Sequence, residues 1–184
     1  MTALLLIDIQ QGLQEMEFYG TERSNPDAEV NCSKILNAFR QKNWPIFHVQ
    51  HCSTNPASPL YPGKKGNKLH PLVTPLEGEP VIPKNVNSAF IGTDLEARLK
   101  SQNITNLVVV GLTVEHCIST SVRMAANLGF NVTLISDATA AFDKIGVDGN
   151  RLSAEIIHSA ALANLKEEFA KVMNTTSLLK ELAD

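Results

Sequence analysis

Uninterrupted apolar runs alternate along this chain with stretches in which apolar positions recur every three or four residues. Thr2 to Ile9 (TALLLIDI), Trp44 to Val49 (WPIFHV), Leu107 to Val110 and Phe130 to Ile135 (FNVTLI) are of the first kind. Continuous rather than alternating apolarity suits strands covered on both faces, as in a parallel sheet. Val81 to Pro83 adds a short third strand and Phe169 to Met173 a sixth. Between them lie the helical stretches. One opens at Pro26 and Asp27 and runs to about Lys42, with Val30, Ile35, Leu36 and Phe39 at roughly helical spacing. A second begins near Asp94, where Thr93 and Glu96 form a capping-box pattern and Leu95 and Leu99 face the sheet. A third runs from Cys117 to Leu128 and stops at Gly129. A fourth, Leu152 to Leu165, carries Ile156, Ile157, Ala160, Ala161 and Leu165 on or near one face, and Thr175 to Asp184 forms a short terminal helix. The β-α alternation predicts one α/β domain over residues 1–184, a parallel sheet with helices on both faces.

Two of the connections are long. Gln10 to Asp27 reads as a loop with at most a helical turn, and its Phe18, Tyr19 and Gly20 make it a candidate lid. Gln50 to Pro80 is punctuated by prolines and glycines, yet Leu60, Tyr61, Leu69, Leu72, Val73 and Leu76 favour an ordered crossover over a disordered segment. Ser136 to Gly149 reads as a polar loop.

Composition narrows the function. A formal net charge of -3, with no arginine-rich tract or zinc-finger spacing, gives no reason to expect nucleic acid as a partner. No apolar run approaches 18 residues, so no membrane span is expected, and the apolar N-terminus lacks the basic flank and cleavage site of a signal peptide. Three cysteines, at 32, 52 and 117, make an odd number and point to a reducing, cytoplasmic setting. The segment after strand one, QQGLQEM, lacks the glycines of a phosphate loop, so no nucleotide cofactor is expected.

Three reactive side chains fall at strand ends: Asp8 after the first strand, Lys84 after the third, Cys117 after the fourth, where LVVVGLTVEHC passes from strand through turn to helix. Parallel strands put those ends on one edge of the sheet, and the three converge if the first and fourth strands are neighbours. An ammonium and a helix start would favour the thiolate, an aspartate would move the thiol proton, and main-chain N–H groups at Thr113 and Cys117 would meet an oxyanion. Taken singly, each has a plainer reading: Cys117 as a small buried hydrophobe, Asp8 as a cap or ion-pair partner, Lys84 as a solvated surface residue. His51, His70 and Cys52 match no compact metal motif. His116, adjacent to Cys117, points elsewhere, and His158 and Cys32 read as packing residues.

LLLIDIQ at 4–10, KNVNSAF at 84–90 and VVGLTVEHCISTSVRMAANLGFNVTLISDATAAF at 109–142 together resemble the isochorismatase-like cysteine hydrolases, the superfamily that includes the nicotinamidases. The resemblance spans nearly the whole chain. It implies a Rossmann-like three-layer α/β/α sandwich around a six-stranded parallel sheet. It also implies Asp8 as general base, Lys84 as supporting cation and Cys117 as nucleophile, and a cis peptide at Leu112–Thr113 that aims the Thr113 N–H, with that of Cys117, into an oxyanion hole. Oligomerisation as a homodimer or homotetramer is implied too; the helix at 117–128 and the loop at 136–149 are candidate contact regions, and the sequence does not choose between them. Gln10, Phe18, Tyr19, Asn87, Phe90, Glu115 and His116 are expected to line the substrate pocket.

Departures from the family bear on the substrate. Gln50 and Cys52 stand where nicotinamidases carry a metal-ligating aspartate and histidine. No metal and no cofactor is therefore expected, and a small amide, carbamoyl or ureido compound, cleaved through an acyl-enzyme, is the expected substrate. The alternatives are a metal-assisted nicotinamidase-type amidase, an isochorismatase-type hydrolase of a vinyl ether, a non-catalytic binding protein on the same fold, and a thiol redox protein with Cys52 as resolving cysteine.

Overall fold

The computed structural model describes residues 1–183. In chain order its elements are β1 (Thr2–Ile7), a short α1 (Met16–Tyr19), α2 (Ala28–Gln41), β2 (Ile46–His51), β3 (Val81–Lys84), α3 (Leu95–Ser101), β4 (Asn106–Leu112), α4 (Ser119–Asn127), β5 (Asn131–Ala140), β6 (Lys144–Ile145), β7 (Arg151–Leu152), α5 (Ala154–Leu165), β8 (Lys171–Met173) and α6 (Thr175–Ala183). Six strands form one sheet in the order β3-β2-β1-β4-β5-β8. Every pairing in it is parallel.

Successive β1 side chains point to opposite faces, and both faces are apolar. Leu4 and Leu6 join Ile35, Leu36 and Phe39 of α2 and Leu178 of α6 in one core. Leu5 and Ile7 join Leu95 and Leu99 of α3, Val122 and Ala125 of α4 and Leu165 of α5 in the other. This is the three-layer α/β/α sandwich. The chain builds β1, β2 and β3 outward in one direction, then returns so that β4 lies against the other side of β1. That reversal opens a crevice at the C-terminal ends of β1 and β4, where open α/β sheets bind ligands.

Several elements depart from the sequence reading. Strand five runs on through Ala140, because β5 bulges: its partners on β4 step from Val109 to Gly111 while β5 itself moves from Leu134 to Thr139. The polar residues of that bulge, which argue for a loop, are satisfied within it. Asn25 donates to the carbonyls of Ser136 and Thr139, and Asp137 accepts from the N–H and hydroxyl of Thr175 at the start of α6. The rest of the supposed loop is the β6–β7 hairpin. The Thr93 capping box does not form. The Thr93 hydroxyl donates to the Ala89 carbonyl, and Glu96 pairs with Lys100 one turn on. On α2 the buried face takes Cys32 in place of Val30, which is exposed. On α5, Ile156 and Ala160 also turn outward, and His158 is buried in their place. The 52–80 crossover is ordered, with short 3₁₀ turns at Lys65–Asn67 and Pro71–Val73.

Candidate active site

β1 ends at Ile7, and Asp8 adopts a left-handed backbone (φ 53°) while its N–H still bonds the Val49 carbonyl of β2. The turn sends its carboxylate inward, where the residue is 1% exposed. Lys84 closes β3, its side chain wholly buried, and its ammonium reaches Asp8 Oδ2 at 2.6 Å. Across the β2–β3 ladder Lys84 pairs with His51, and the ammonium lies 3.3 Å from His51 Nδ1. β4 delivers the third side chain. Gly111 packs so tightly on β1 that a Cβ there would overlap the Ile7 carbonyl. The next peptide, Leu112–Thr113, is cis. The chain then makes one wide π turn, Val114–Ile118, in which the Thr113 carbonyl accepts from the N–H groups of both His116 and Ile118. Such turns favour functional positions. Cys117 sits within it, so α4 starts two residues later than the pattern suggests. Its Sγ lies 3.3 Å from Lys84 Nζ and 3.8 Å from Asn87 Oδ1.

Asp8, Lys84 and Cys117 thus meet at the crevice, with His51 as a fourth member that the sequence reading treats only as a metal candidate. Reading strand two as ending at Val49 hides it. Two further residues of register bring His51 beside Lys84. Gln10 then holds that strand end in place, accepting from the His51 N–H and donating to the carbonyls of His51 and Asn67.

The electrostatics correct one expectation. Burial pushes the Cys117 thiol well above its ordinary value, and the Asp8 carboxylate adds to that shift; the Lys84 ammonium opposes both without overcoming them. Cys117 lies beside an Asp8–Lys84 ion pair, in surroundings that favour its thiol form. Asp8 Oδ1 is buried and takes no hydrogen bond from the described residues, leaving a carboxylate lone pair for the thiol proton. Burial, then the neighbouring Lys84 charge, lowers the His51 pKa, so its ring is neutral at pH 7 and accepts from the ammonium.

Donor atoms of Asp8, His51 and Cys117 lie within 4.8 Å of one another, close enough to enclose a cation. Lys84 Nζ already stands among them, at 2.6, 3.3 and 3.3 Å, and donates also to the Val86 carbonyl. The ammonium supplies the positive charge that a metal would bring, so the residues present do not fit a resident metal there. His70 is away from this cluster, contacting Gln14 and capping the 3₁₀ turn at Pro71.

A cavity of about 330 Å³ opens over Cys117, with Leu13, Leu60, Leu112 and Phe142 as its apolar walls. A model of the isochorismatase domain matches residues 2–177. The chain belongs to the isochorismatase family. A Bacillus subtilis isochorismatase-family protein, YrdC, is 42% identical over 97% of this chain and 95% of its own length. A crystal structure from Chromobacterium violaceum, assigned to the same family, superposes with a TM-score of 0.95 at 41% identity, covering 99% of this chain and 93% of that one. N-carbamoylsarcosine amidase from Arthrobacter is 31% identical over 54% of this chain and 44% of its own length. The fold, the family match and the Asp8–His51–Cys117 cluster make this an isochorismatase-family cysteine hydrolase.

Of the residues expected at the pocket, Tyr19, Asn87, Glu115 and His116 line the cavity. Gln10, Phe18 and Phe90 do not. Gln10 is spent on the scaffold bonds just described. Phe18 lies outside, half exposed and edge-on to Tyr19. Phe90 stacks on Phe130 in the core beneath α4. Ser58, Leu60, Phe142 and Lys144 line the cavity from connections whose path no local pattern specifies. Tyr19 stacks on Phe142, and burial pushes its hydroxyl up to about 12, so it stays protonated at any physiological pH.

Proposed function

We propose that the protein hydrolyses a C–N bond of a small amide, carbamoyl or ureido compound through a Cys117 acyl-enzyme. The observation that carries this reading is Asp8 Oδ1, which takes no hydrogen bond from the described residues and faces the Cys117 site while Lys84 fixes the other carboxylate oxygen. Asp8 takes the thiol proton as Sγ attacks the carbonyl carbon, so charge forms only as the new bond does. The Thr113 and Cys117 N–H groups receive the oxyanion. Collapse breaks the C–N bond, the proton on Asp8 passes to the departing amine, and a thioester remains. Water, deprotonated by Asp8, cleaves the thioester to the acid and restores the thiol. His51 and Gln10 position the ammonium, and no step needs a metal. The similarity to N-carbamoylsarcosine amidase supports the substrate class, and the three free cysteines support a cytoplasmic setting. In the test, ammonia release from a panel of primary amides and ureides is followed alongside intact-protein mass. Turnover and a trapped acyl adduct are expected, both absent in Cys117→Ala with its fold retained. Undiminished turnover in that variant would overturn the reading.

A homo-oligomer is also proposed. Ile145, Val147 and Leu152 on the β6–β7 hairpin, with Ile156 in the first turn of α5, are exposed apolar side chains, and a second copy covering them would bury them. Light scattering should give a dimer or tetramer that Val147→Asp reduces to monomer. An unchanged mass would remove this surface from consideration.

A further inference from the structure

Six buried side-chain polar atoms lack a hydrogen-bond partner among the described residues: Asp8 Oδ1, Tyr19 OH, Arg23 Nε, Glu29 Oε1, His48 Nδ1 and Glu115 Oε2. Arg23 and Glu29 satisfy each other through their other atoms, and His48 is paired with Glu79. None of these three lines the cavity. Asp8, Tyr19 and Glu115 all do. Asp8 Oδ1 is accounted for by the thiol proton. The Tyr19 hydroxyl sits by Ser58, which opposes the rise that burial causes, without a hydrogen bond of full geometry. Glu115 is unexplained. Its side chain is only 12% exposed, and its polar contacts among the described residues all approach Oε1, none closely: the Phe142 N–H at 3.5 Å, Lys144 Nζ and His116 Nδ1 each at 3.8 Å. Oε2 meets no donor. A buried carboxylate oxygen without a donor is costly, and the cost is relieved when a ligand brings one.

We propose that Glu115 is the specificity-determining acceptor of the site. It takes an N–H of the substrate at the end away from the scissile carbonyl. The inference rests on the hydrolase reading above and adds the substrate's second functional group. Preferred substrates are neutral or cationic amides or ureides carrying a second N–H donor. A carboxylate at that end meets Glu115 as a like charge. A tertiary amide of the same shape supplies no proton and leaves Oε2 unpaired. Sites built around such a bond discriminate strongly against analogues that lack it.

Three matched probes separate these cases: N-carbamoylglycinamide, its N,N-dimethylamide and N-carbamoylglycine. They are compared on the wild type, Glu115→Gln and Glu115→Met, with two readouts: ammonia release, and the concentration at which each probe protects Cys117 from iodoacetamide. The wild type is expected to favour the primary amide over the dimethylamide by roughly 10- to 100-fold, the range for a charge-assisted hydrogen bond. The carboxylate should rank last. In Glu115→Met the amide preference collapses, and in both variants the carboxylate improves. A wild-type preference for the carboxylate, an order that both variants preserve, or no protection by any probe would overturn the inference. A Glu115-dependent order of protection with no ammonia released from any probe would support the inference and overturn the hydrolytic reading instead.

Discussion

At the scale of single residues, the site sets burial and two opposite charges against one another at the thiol. Burial and Asp8 raise the Cys117 pKa; Lys84 lowers it. Asp8→Asn should therefore bring the thiol down and Lys84→Met should push it further up, although both variants lose turnover. Iodoacetamide alkylation against pH reads this directly. The wild-type midpoint should lie above that of an ordinary thiol, near 8.5, and the two variants should bracket it. A wild-type midpoint below 8.5, or variants that shift in the opposite senses, would mean the resting site holds a thiolate. Lys84→Met also strands a buried carboxylate. Removing one partner of a buried pair costs about 3–5 kcal/mol, so its unfolding midpoint should fall with the activity. A Lys84→Met/Asp8→Asn double variant should recover much of that stability and none of the turnover.

At the scale of elements, two contacts shape the crevice. β1 and β4 approach closely only because position 111 has no side chain and adopts φ +133°. Gly111→Ala should cost at least about 3 kcal/mol in urea unfolding, by clash and backbone strain together; a loss below about 1 kcal/mol would show that the strands can part without penalty. The second contact fastens the 15–23 segment, which carries Tyr19 over the cavity. Asp143 accepts from the Thr21 and Glu22 N–H groups, the Thr21 hydroxyl and Arg151, and the Arg151 hydrogen bond leads in holding its carboxyl well below the usual range. Asp143→Ala should free the segment, speed cleavage by a Glu-specific protease after Glu15, Glu17 and Glu22, and raise KM several-fold more than it lowers kcat. Unchanged cleavage would mean the segment is held by Tyr19 and Phe142 alone. These contacts also mark what the sequence makes legible. Asp8, Lys84 and Cys117 can be found from it because each sits where an apolar run stops, and a parallel sheet gathers such stops on one edge. His51 is hidden by two residues of strand register. Phe142 and Lys144 are hidden because a bulged strand and a two-residue hairpin carry no periodicity, and their conformation is set by contacts of Thr139, Asp137 and Asp143 with Asn25, Thr175 and Thr21, which lie in distant parts of the chain.

At the scale of the whole molecule, the two cores are independent hydrophobic layers, and polar side chains tie connections and layers together. Glu79 is the clearest tie. It stands near the end of the long crossover and binds Arg40 of α2 through both carboxylate oxygens, while it also accepts from the Leu76 N–H and His48 Nε2 of β2. Burial alone would raise its pKa, but the hydrogen bonds from Arg40, Leu76 and His48 outweigh that and hold it at about 2, against an ordinary value of 4.5. A carboxylate more acidic in the folded than in the unfolded chain adds stability above its unfolded pKa and loses it as pH falls towards its folded pKa. The contribution of Glu79 is therefore fully present above pH 4.5 and fades between there and about 2. Urea unfolding of the wild type and Glu79→Gln should show a wide gap in stability at pH 6 that narrows steadily from pH 4.5 to pH 3. His48, whose ring burial keeps neutral at pH 7, would by itself move the wild type less than the variant as it takes up its proton, because the Glu79 charge favours that proton. Any His48 effect thus widens the gap on acidification, and narrowing below pH 4.5 can only come from Glu79 itself. A gap that holds constant down to pH 3 would mean the crossover is fastened by packing at Val73 and Leu60, and that the ion pair contributes direction to the fold without strength.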